Sequence, residues 1–305
     1  MKTKTTLIKL GCLLLLGNLA QAAELKVATT HPLLSDLVRQ VGGETVEVIS
    51  LLKPGGDIHH FEPSAGDLRS MHKAKILFAS GKNLEPYLDK LRDSLGGGIS
   101  IVEVGKTIPS LKISADDELF LCCPAHAVGG IDPHWWHSAD NMARAAGVVA
   151  KALAEADPER GSTYVARGKD AAKRLKALKK WAQAEIASIP KRDRKLVTAH
   201  PAFGYFCKEY SFRFVPIMGL AREEDYSPKF ISEALETIKR ENIRAVFPED
   251  QANPKILTEI ANQSGVSVAS PLIADGTKPG AGATFEGMLR HNVATIVNAL
   301  SKEGR

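Results

Sequence analysis

The chain has 305 residues, of which 44% are hydrophobic and 25% are charged, and this composition is that of an ordinary globular protein. A chain of this length can form two domains. The formal net charge is only +5 at pH 7, and the sequence has no basic stripe interleaved with aromatic residues, which argues against nucleic acid as a partner.

Residues 1–22 are predicted to be a cleavable secretory signal peptide. Three lysines flank the start of the apolar run at residues 10–19, and Ala20-Gln21-Ala22 has the small-x-small pattern of a cleavage site. The apolar run is about half the ~20 residues that a membrane-spanning helix needs. Cleavage removes the three lysines and lowers the net charge to about +2.

Cys12 raises the alternative of a lipoprotein signal. The preceding Lys9-Leu10-Gly11 puts a charge where a lipobox carries an aliphatic residue, and cleavage there would leave almost no apolar segment. We therefore reject a lipid anchor at Cys12.

Three cysteines remain after cleavage, in a chain that is bound for an oxidising compartment. Neighbouring Cα atoms lie ~3.8 Å apart, below the ~4.4 Å at which disulfides begin, so a bond between Cys122 and Cys123 would be strained. Pairing of either one with Cys207 stays open, and so do unpaired thiols with no chemical role.

The mature chain begins with alternating β-like and helical runs. Strands are predicted at residues 25–30, 45–52, 74–80 and 99–104. Helices are predicted at residues 33–41 and 84–95. Such alternation is typical of parallel βαβ units, and we assign residues 23–156 to an N-terminal α/β lobe.

A long amphipathic helix is predicted next, at residues 157–189. Its apolar positions recur every three or four residues, and the lysines between them predict a solvated face. At 1.5 Å per residue a helix of ~30 residues would measure about 45 Å. We interpret this helix as a linker between two lobes.

The alternation resumes in residues 190–305, which we assign to a C-terminal α/β lobe. Strands are predicted at residues 195–199, 213–217, 244–249 and 266–273, and helices at 203–210, 231–242, 254–265 and 284–300. The predicted fold class is therefore α/β, with two Rossmann-like parallel-sheet lobes joined by one long rigid helix. No glycine-rich phosphate loop follows a strand, which argues against a nucleotide site.

Four residues that can bind a metal lie where two lobes of this kind would face each other. His59, His200 and Asp275 follow predicted strands, and His134 lies in the segment IDPHWWH ahead of a helix. Ligands of open parallel sheets bind at the carboxyl ends of the strands, so a cleft between the lobes could bring the four together. Three imidazoles and one carboxylate would fill a tetrahedral shell, which favours capture of the ion over catalysis by it.

Five segments resemble, in the same order, those of one known family. They are GGDIHHFEPSAGDL, GKNLEPYLDKL, DPHWW, AHPAFGYFCKEY and TFEGMLRHNVATIVNAL. By these segments the chain is identified as a member of the TroA/ZnuA-like solute-binding proteins, the zinc and manganese receptors of bacterial ABC importers. The resemblance covers essentially the whole mature chain.

The resemblance implies a monomeric receptor and not an enzyme. Its partners would be the divalent metal ion and a membrane permease with a cytoplasmic ATPase. Because neither a lipid anchor nor a spanning helix is predicted, an outer membrane would have to retain the receptor. The periplasm is therefore the expected compartment.

The resemblance also selects among the histidines. It implies that His59 is the ligand and that His60 occupies a variable position, and it assigns the other ligands to His134, His200 and Asp275. Glu62 would orient the loop that carries His59.

Three further histidines depart from the family pattern or lie outside it. The family often has Leu-Asp-Pro after Trp136, but this chain has His137, which we expect at the surface. Many zinc receptors have a histidine-rich loop before Asp-Pro-His, whereas this chain has only His126 there. His31 follows the first strand, and it could either support the ligands or lie on the plain surface.

The nitrogen-rich set favours Zn²⁺, because manganese is low in the Irving–Williams order and prefers more oxygen ligands. A manganese or iron receptor of the same family is the alternative. A secreted zinc hydrolase is the rival from another class, but it would need an open metal position and a general base, and no HExxH motif is present. A receptor for a solute other than a metal would not need three converging histidines.

Overall fold

The computed structural model describes residues 25–53, 55–112, 130–198, 202–215, 228–249, 255–276 and 279–301. The predicted signal peptide lies outside these ranges, as do Cys12, Cys122, Cys123, His126 and His200. Cys207 is a buried free thiol, and burial raises its pKa.

The first lobe is built on a parallel sheet of four strands in the order β2-β1-β3-β4. The strands are β1 (Leu25–Thr29), β2 (Val46–Ser50), β3 (Ile76–Ala79) and β4 (Ser100–Glu103). The helices of this lobe are α1 (Pro32–Gly42), α2 (Ala65–Met71) and α3 (Leu88–Leu95). The central strands β1 and β3 are almost fully buried, as expected of parallel strands that are covered on both faces.

Two of these helices differ from the sequence-based prediction. The short helix α2 was not predicted, although Ser64 and Asp67 form a capping box that starts it. The helix α3 begins at Leu88 rather than at residue 84, because the preceding residues form turns in which the side chain of Glu85 binds the backbone of Ser80 and Gly81.

The second lobe repeats the strand order of the first. Its ladders are short, with β5 (Lys195–Leu196) beside β6 (Arg213–Phe214), and β7 (Ala245–Val246) beside β8 (Ser267–Val268). A parallel bridge between Thr198 and Phe247 joins the two pairs, which gives the order β6-β5-β7-β8. The helices are α6 (Gly204–Tyr210), α7 (Pro228–Arg240) and α8 (Lys255–Ser264).

The three longest described helices are α4 (Ala139–Ala156), α5 (Gly161–Ile186) and α9 (Phe285–Leu300). The helix α5 has 26 residues, fewer than predicted, because a separate turn at Pro158–Arg160 precedes it and is capped by the side chain of Asp157. A Cβ on Gly168 would lie 2.6 Å from that of Ala150, so this glycine allows α4 and α5 to pack closely.

The helix α5 is packed against other helices along one face. Its partners are α1 and α4 of the first lobe and the closing helix α9. The helices α1 and α9 also meet directly. The carboxylate of Asp36 in α1 accepts a hydrogen bond of 3.0 Å from the backbone N–H of Phe285, the first residue of α9. None of the described helices is both long enough and apolar enough to cross a membrane.

Candidate metal site

The loop after β2 presents His59 and not His60 to the interior. The Oδ1 atom of Asp57 accepts hydrogen bonds from the backbone N–H groups of His59 at 2.8 Å and of His60 at 3.3 Å. The ring of His60 turns back to Asp57, with Nδ1 2.8 Å from Oδ2, and its side chain is 76% exposed. The ring of His60 is therefore paired with the carboxylate of Asp57, while the ring of His59 lies against that of His134.

Asp132 holds His134 in place at two points. Its Oδ1 atom accepts from the backbone N–H of His134 at 2.9 Å and lies 2.8 Å from Nδ1 of the same ring. Both side chains are buried. Because an ionised carboxylate only accepts hydrogen bonds, Nδ1 carries the proton, and the lone pair of Nε2 faces the site, as in metal-binding histidines.

The three described candidates meet at one point. The Nε2 atoms of His59 and His134 are 3.3 Å apart, and each of these histidines and Asp275 offers a ligand atom within 4.8 Å of the others. Two nitrogens bound ~2.1 Å from one ion at a tetrahedral angle would be about 3.4 Å apart. The separation of the two nitrogens therefore matches a shared ion. The fourth predicted residue, His200, lies outside the described ranges.

Two histidines near the site are buried rather than exposed. The prediction that His137 lies at the surface is wrong, because it is only 2% exposed and stacks on Phe203 with ring centroids 4.4 Å apart. His31 is also buried, and its Nδ1 atom accepts a hydrogen bond of 3.1 Å from the N–H of Leu33, which caps α1. The ring of His31 packs against that of Trp136, with the ring centroids 4.3 Å apart.

Burial keeps both of these rings neutral. Burial, with smaller contributions from nearby His59 and His137, lowers the pKa of His31 to about 3. Burial likewise lowers the pKa of His137 to about 3, although the nearby backbone of Ala274 opposes the shift. These two rings therefore add no positive charge that would repel a cation from the site.

The loop is oriented by Asp57 and not by Glu62, whose side chain is exposed. A different glutamate has a structural role. Glu85 is buried and accepts hydrogen bonds from Thr30 Oγ1 at 2.6 Å and from the N–H groups of Ser80 and Gly81 at 2.7 and 2.9 Å. It ties the ends of β1 and β3 together, while burial raises the pKa of its carboxyl group.

Comparison with known proteins places the chain in a family. Residues 27–299 match the family described as "ZnuA: Zinc-uptake complex component A periplasmic". The chain belongs to the ZnuA family. The sequence-based predictions of family and fold class are therefore confirmed, and the chain is a metal-binding substrate receptor of the ABC-importer type and not an enzyme.

Curated relatives in this family carry different metals in their names. The manganese-binding lipoprotein MntA of Bacillus subtilis is 32% identical over 91% of this chain and 90% of its own length. The zinc-binding protein TroA of Treponema pallidum is 28% identical over 90% of this chain and 89% of its own length. The iron-binding protein YfeA of Yersinia pestis is 26% identical over 92% of this chain and 88% of its own length.

Solved structures share the fold along their whole length. The periplasmic zinc-binding protein TroA of Treponema pallidum superposes with a TM-score of 0.79 and 25% identity, over 92% of this chain and 100% of that structure. A manganese-bound periplasmic metal-binding protein from Candidatus Liberibacter asiaticus superposes with a TM-score of 0.78 and 21% identity, over 91% and 100%.

Proposed function

We propose that the protein captures one divalent metal ion between its lobes, with His59, His134, His200 and Asp275 as ligands, and delivers it to a membrane permease driven by a cytoplasmic ATPase. The observation that carries the proposal is the 3.3 Å separation of the two Nε2 atoms beside the carboxylate of Asp275. The ion is the cargo, so the site serves to hold it and release it.

Zinc is the cargo that the donor set favours. Two described imidazoles, a third contributed by His200 and one carboxylate make a nitrogen-rich tetrahedral shell, which suits a borderline-soft ion. Manganese is the second candidate, because two relatives with 32% and 30% identity are manganese-binding lipoproteins.

Competitive titration of the metal-free protein with Zn²⁺ and Mn²⁺ separates the two candidates. We expect one ion to bind per chain, with zinc tighter than manganese, and the His200→Ala variant to bind both more weakly. Tighter binding of manganese would instead support the second candidate. Failure to bind either ion, or unchanged affinity in the variant, would contradict the proposed function or its fourth ligand.

We further propose that the mature receptor is a soluble monomer of the periplasm. The predicted cleavage after residue 22 supports this location, whereas several relatives are named as lipoproteins. Fractionation of the native cell, with mass analysis of the mature N-terminus, tests it. A chain that begins at a lipid-modified Cys12 and sediments with membranes would contradict the proposal.

A further inference from the structure

Trp136 links the turn that carries His134 to the segment that carries Asp275. Its Nε1–H donates a hydrogen bond of 2.9 Å to the backbone carbonyl of Ala274, which belongs to the second lobe. The side chain is 1% exposed, and its ring packs edge-on against that of His134 with centroids 5.2 Å apart. We propose that Trp136 is a positioning residue that sets the carboxylate of Asp275 against Nε2 of His134, a role that rests on the proposed function.

The residues ahead of Asp275 are held one after another. Leu272 bridges Glu249 in parallel fashion, which continues the sheet of the second lobe. The side-chain amide of Asn292 in α9 binds both backbone groups of Ile273, accepting from its N–H at 2.8 Å and donating to its carbonyl at 2.8 Å. The next peptide group is the one that Trp136 holds.

The hydrogen bond to Ala274 acts on the last peptide group before the proposed ligand. This peptide is planar, so fixing the direction of its carbonyl also fixes the N–H and Cα of Asp275. The side chain of Asp275 is then left with only its own torsions to reach the ion. Because the donor belongs to the element that also carries His134, the bond fixes two proposed ligands from different lobes relative to each other.

A second contact makes the link partly redundant. The ring of His137, from the same turn, also lies near the backbone of Ala274, which opposes the lowering of its pKa by burial. Loss of the Trp136 bond should therefore weaken the placement of Asp275 without abolishing it. Partners that orient metal ligands from outside the coordination shell typically contribute 10–100-fold in affinity, and we expect the lower end of that range.

Trp135 provides a matched control in the same turn. It is also 1% exposed, and its Nε1–H donates to Ser80, at 3.2 Å to the carbonyl and 3.0 Å to Oγ. Ser80 belongs to the first lobe, so this bond does not reach the Asp275 segment. Replacement of either tryptophan by phenylalanine removes one indole donor and leaves an aromatic ring.

The test compares Trp136→Phe and Trp135→Phe by metal titration and by thermal unfolding of the metal-free proteins. We expect Trp136→Phe to lose about 10-fold in zinc affinity and more in manganese affinity, because the carboxylate is the ligand that suits manganese. The affinity of the control variant Trp135→Phe should stay within about twofold of that of wild type for both ions. Equal losses in the two variants, or no loss in Trp136→Phe, would overturn the proposal.

Two further variants keep the outcome decisive. Benzothienylalanine at position 136 preserves the bicyclic shape without the N–H group, and it carries the test if the phenylalanine variant does not fold. Asp275→Ala separates the two levels of inference. If it abolishes binding while both changes at position 136 leave affinity intact, only the positioning role fails; if it leaves affinity intact, the proposed ligand set fails.

Discussion

Each histidine of the candidate site that the structure describes follows an aspartate by two residues, and the two aspartates act differently. Asp132 binds both the backbone and the ring of His134, so it fixes the ring as well as the turn. Asp57 binds the backbone of His59 but gives its second oxygen to the ring of His60. The Asp-x-His spacing therefore builds the turn in both cases, and it supports the ring of His134 alone.

Replacement of each neighbouring histidine by alanine tests which one binds the cargo. We expect His59→Ala to lose more than about 100-fold in zinc affinity, since partners outside the coordination shell alone contribute 10–100-fold. His60→Ala should change affinity by less than about threefold, because its ring is exposed and paired with Asp57. Calorimetric titration of both variants measures this, and the reverse order of losses would rule out His59 as a ligand.

The contrast between the two aspartates gives a second test. Asp132→Asn removes the charge that holds the proton on Nδ1 of His134, and we expect a loss of about 10-fold or more in zinc affinity. Asp57→Asn keeps an oxygen for the backbone N–H of His59, so its loss should be smaller. Competition against a chelating dye measures both, and a larger loss in Asp57→Asn would contradict this assignment.

The sequence predicted the ligand candidates better than their surroundings. Histidines at strand ends can be recognised locally, and so can the Asp-x-His spacing that His59 and His134 share. By contrast, Trp136 donates to a carbonyl 138 positions away, and no local pattern encodes that contact. His137 was wrongly expected at the surface because only the tertiary packing of Phe203 covers it.

At the scale of elements, the positions of helices and strands were predicted better than their lengths. The strand runs of the second lobe were predicted from β-forming residues, but ladders require partners, and β5 to β8 each pair over two residues. The contact between α1 and α9 was not predictable, since it joins Asp36 to a backbone group 249 positions away. The carboxylate of Asp36 lies at the N-terminus of α9, which is the positive end of the helix dipole.

The junction between α1 and α9 depends on an acceptor at position 36 more than on its charge. Burial raises the pKa of Asp36, so its ionised form carries a desolvation cost at neutral pH. We expect Asp36→Asn to change the free energy of unfolding by less than about 1 kcal/mol at pH 7, because an amide oxygen can still accept from Phe285. Asp36→Ala should lower it by about 1–3 kcal/mol, since that N–H loses its partner.

Urea unfolding of the metal-free variants measures both values. The asparagine variant should also gain relative to wild type as pH rises from 4 to 7, because only the wild-type group must ionise against its raised pKa. Equal destabilisation by asparagine and alanine would show that the charge itself holds the helices together.

For the whole molecule, the common strand order of the two lobes was not predicted, but the architecture of two parallel-sheet lobes and one long helix followed from the alternation of β-like and helical runs. The extent of contact around α5 did not. Its lysine-rich face predicted a solvated linker, but its other face packs on α1, α4 and α9. The amphipathic period reveals that a face is buried, whereas the partners that bury it depend on the tertiary fold.

Stability at acid pH should depend on the buried neutral histidines. The pKa of His137 is about 3 in the folded chain and near 6.5 when unfolded, so between these values the unfolded chain binds the extra proton. The free energy of unfolding therefore has a contribution that is complete above pH 6.5 and lost as pH falls, by roughly 1 kcal/mol per pH unit.

Comparison with His137→Phe isolates this contribution from the buried acids, which titrate in both proteins. In the presence of a chelator, the stability of the variant relative to wild type should rise by roughly 1 kcal/mol for each pH unit below 6.5. Urea midpoints at pH 7, 6 and 5 measure the slope. A constant difference across this range would show that the ring of His137 is not held neutral by burial.

The three described residues of the site differ in their access to water, since His134 and Asp275 are buried while the ring of His59 lies partly open at the end of its loop. In the proposed site, an ion that arrives from outside meets His59 first and must pass it again on departure. Protons arrive by the same route. Exchange of the cargo with the surroundings would thus begin at His59, the most accessible of the three described ligands.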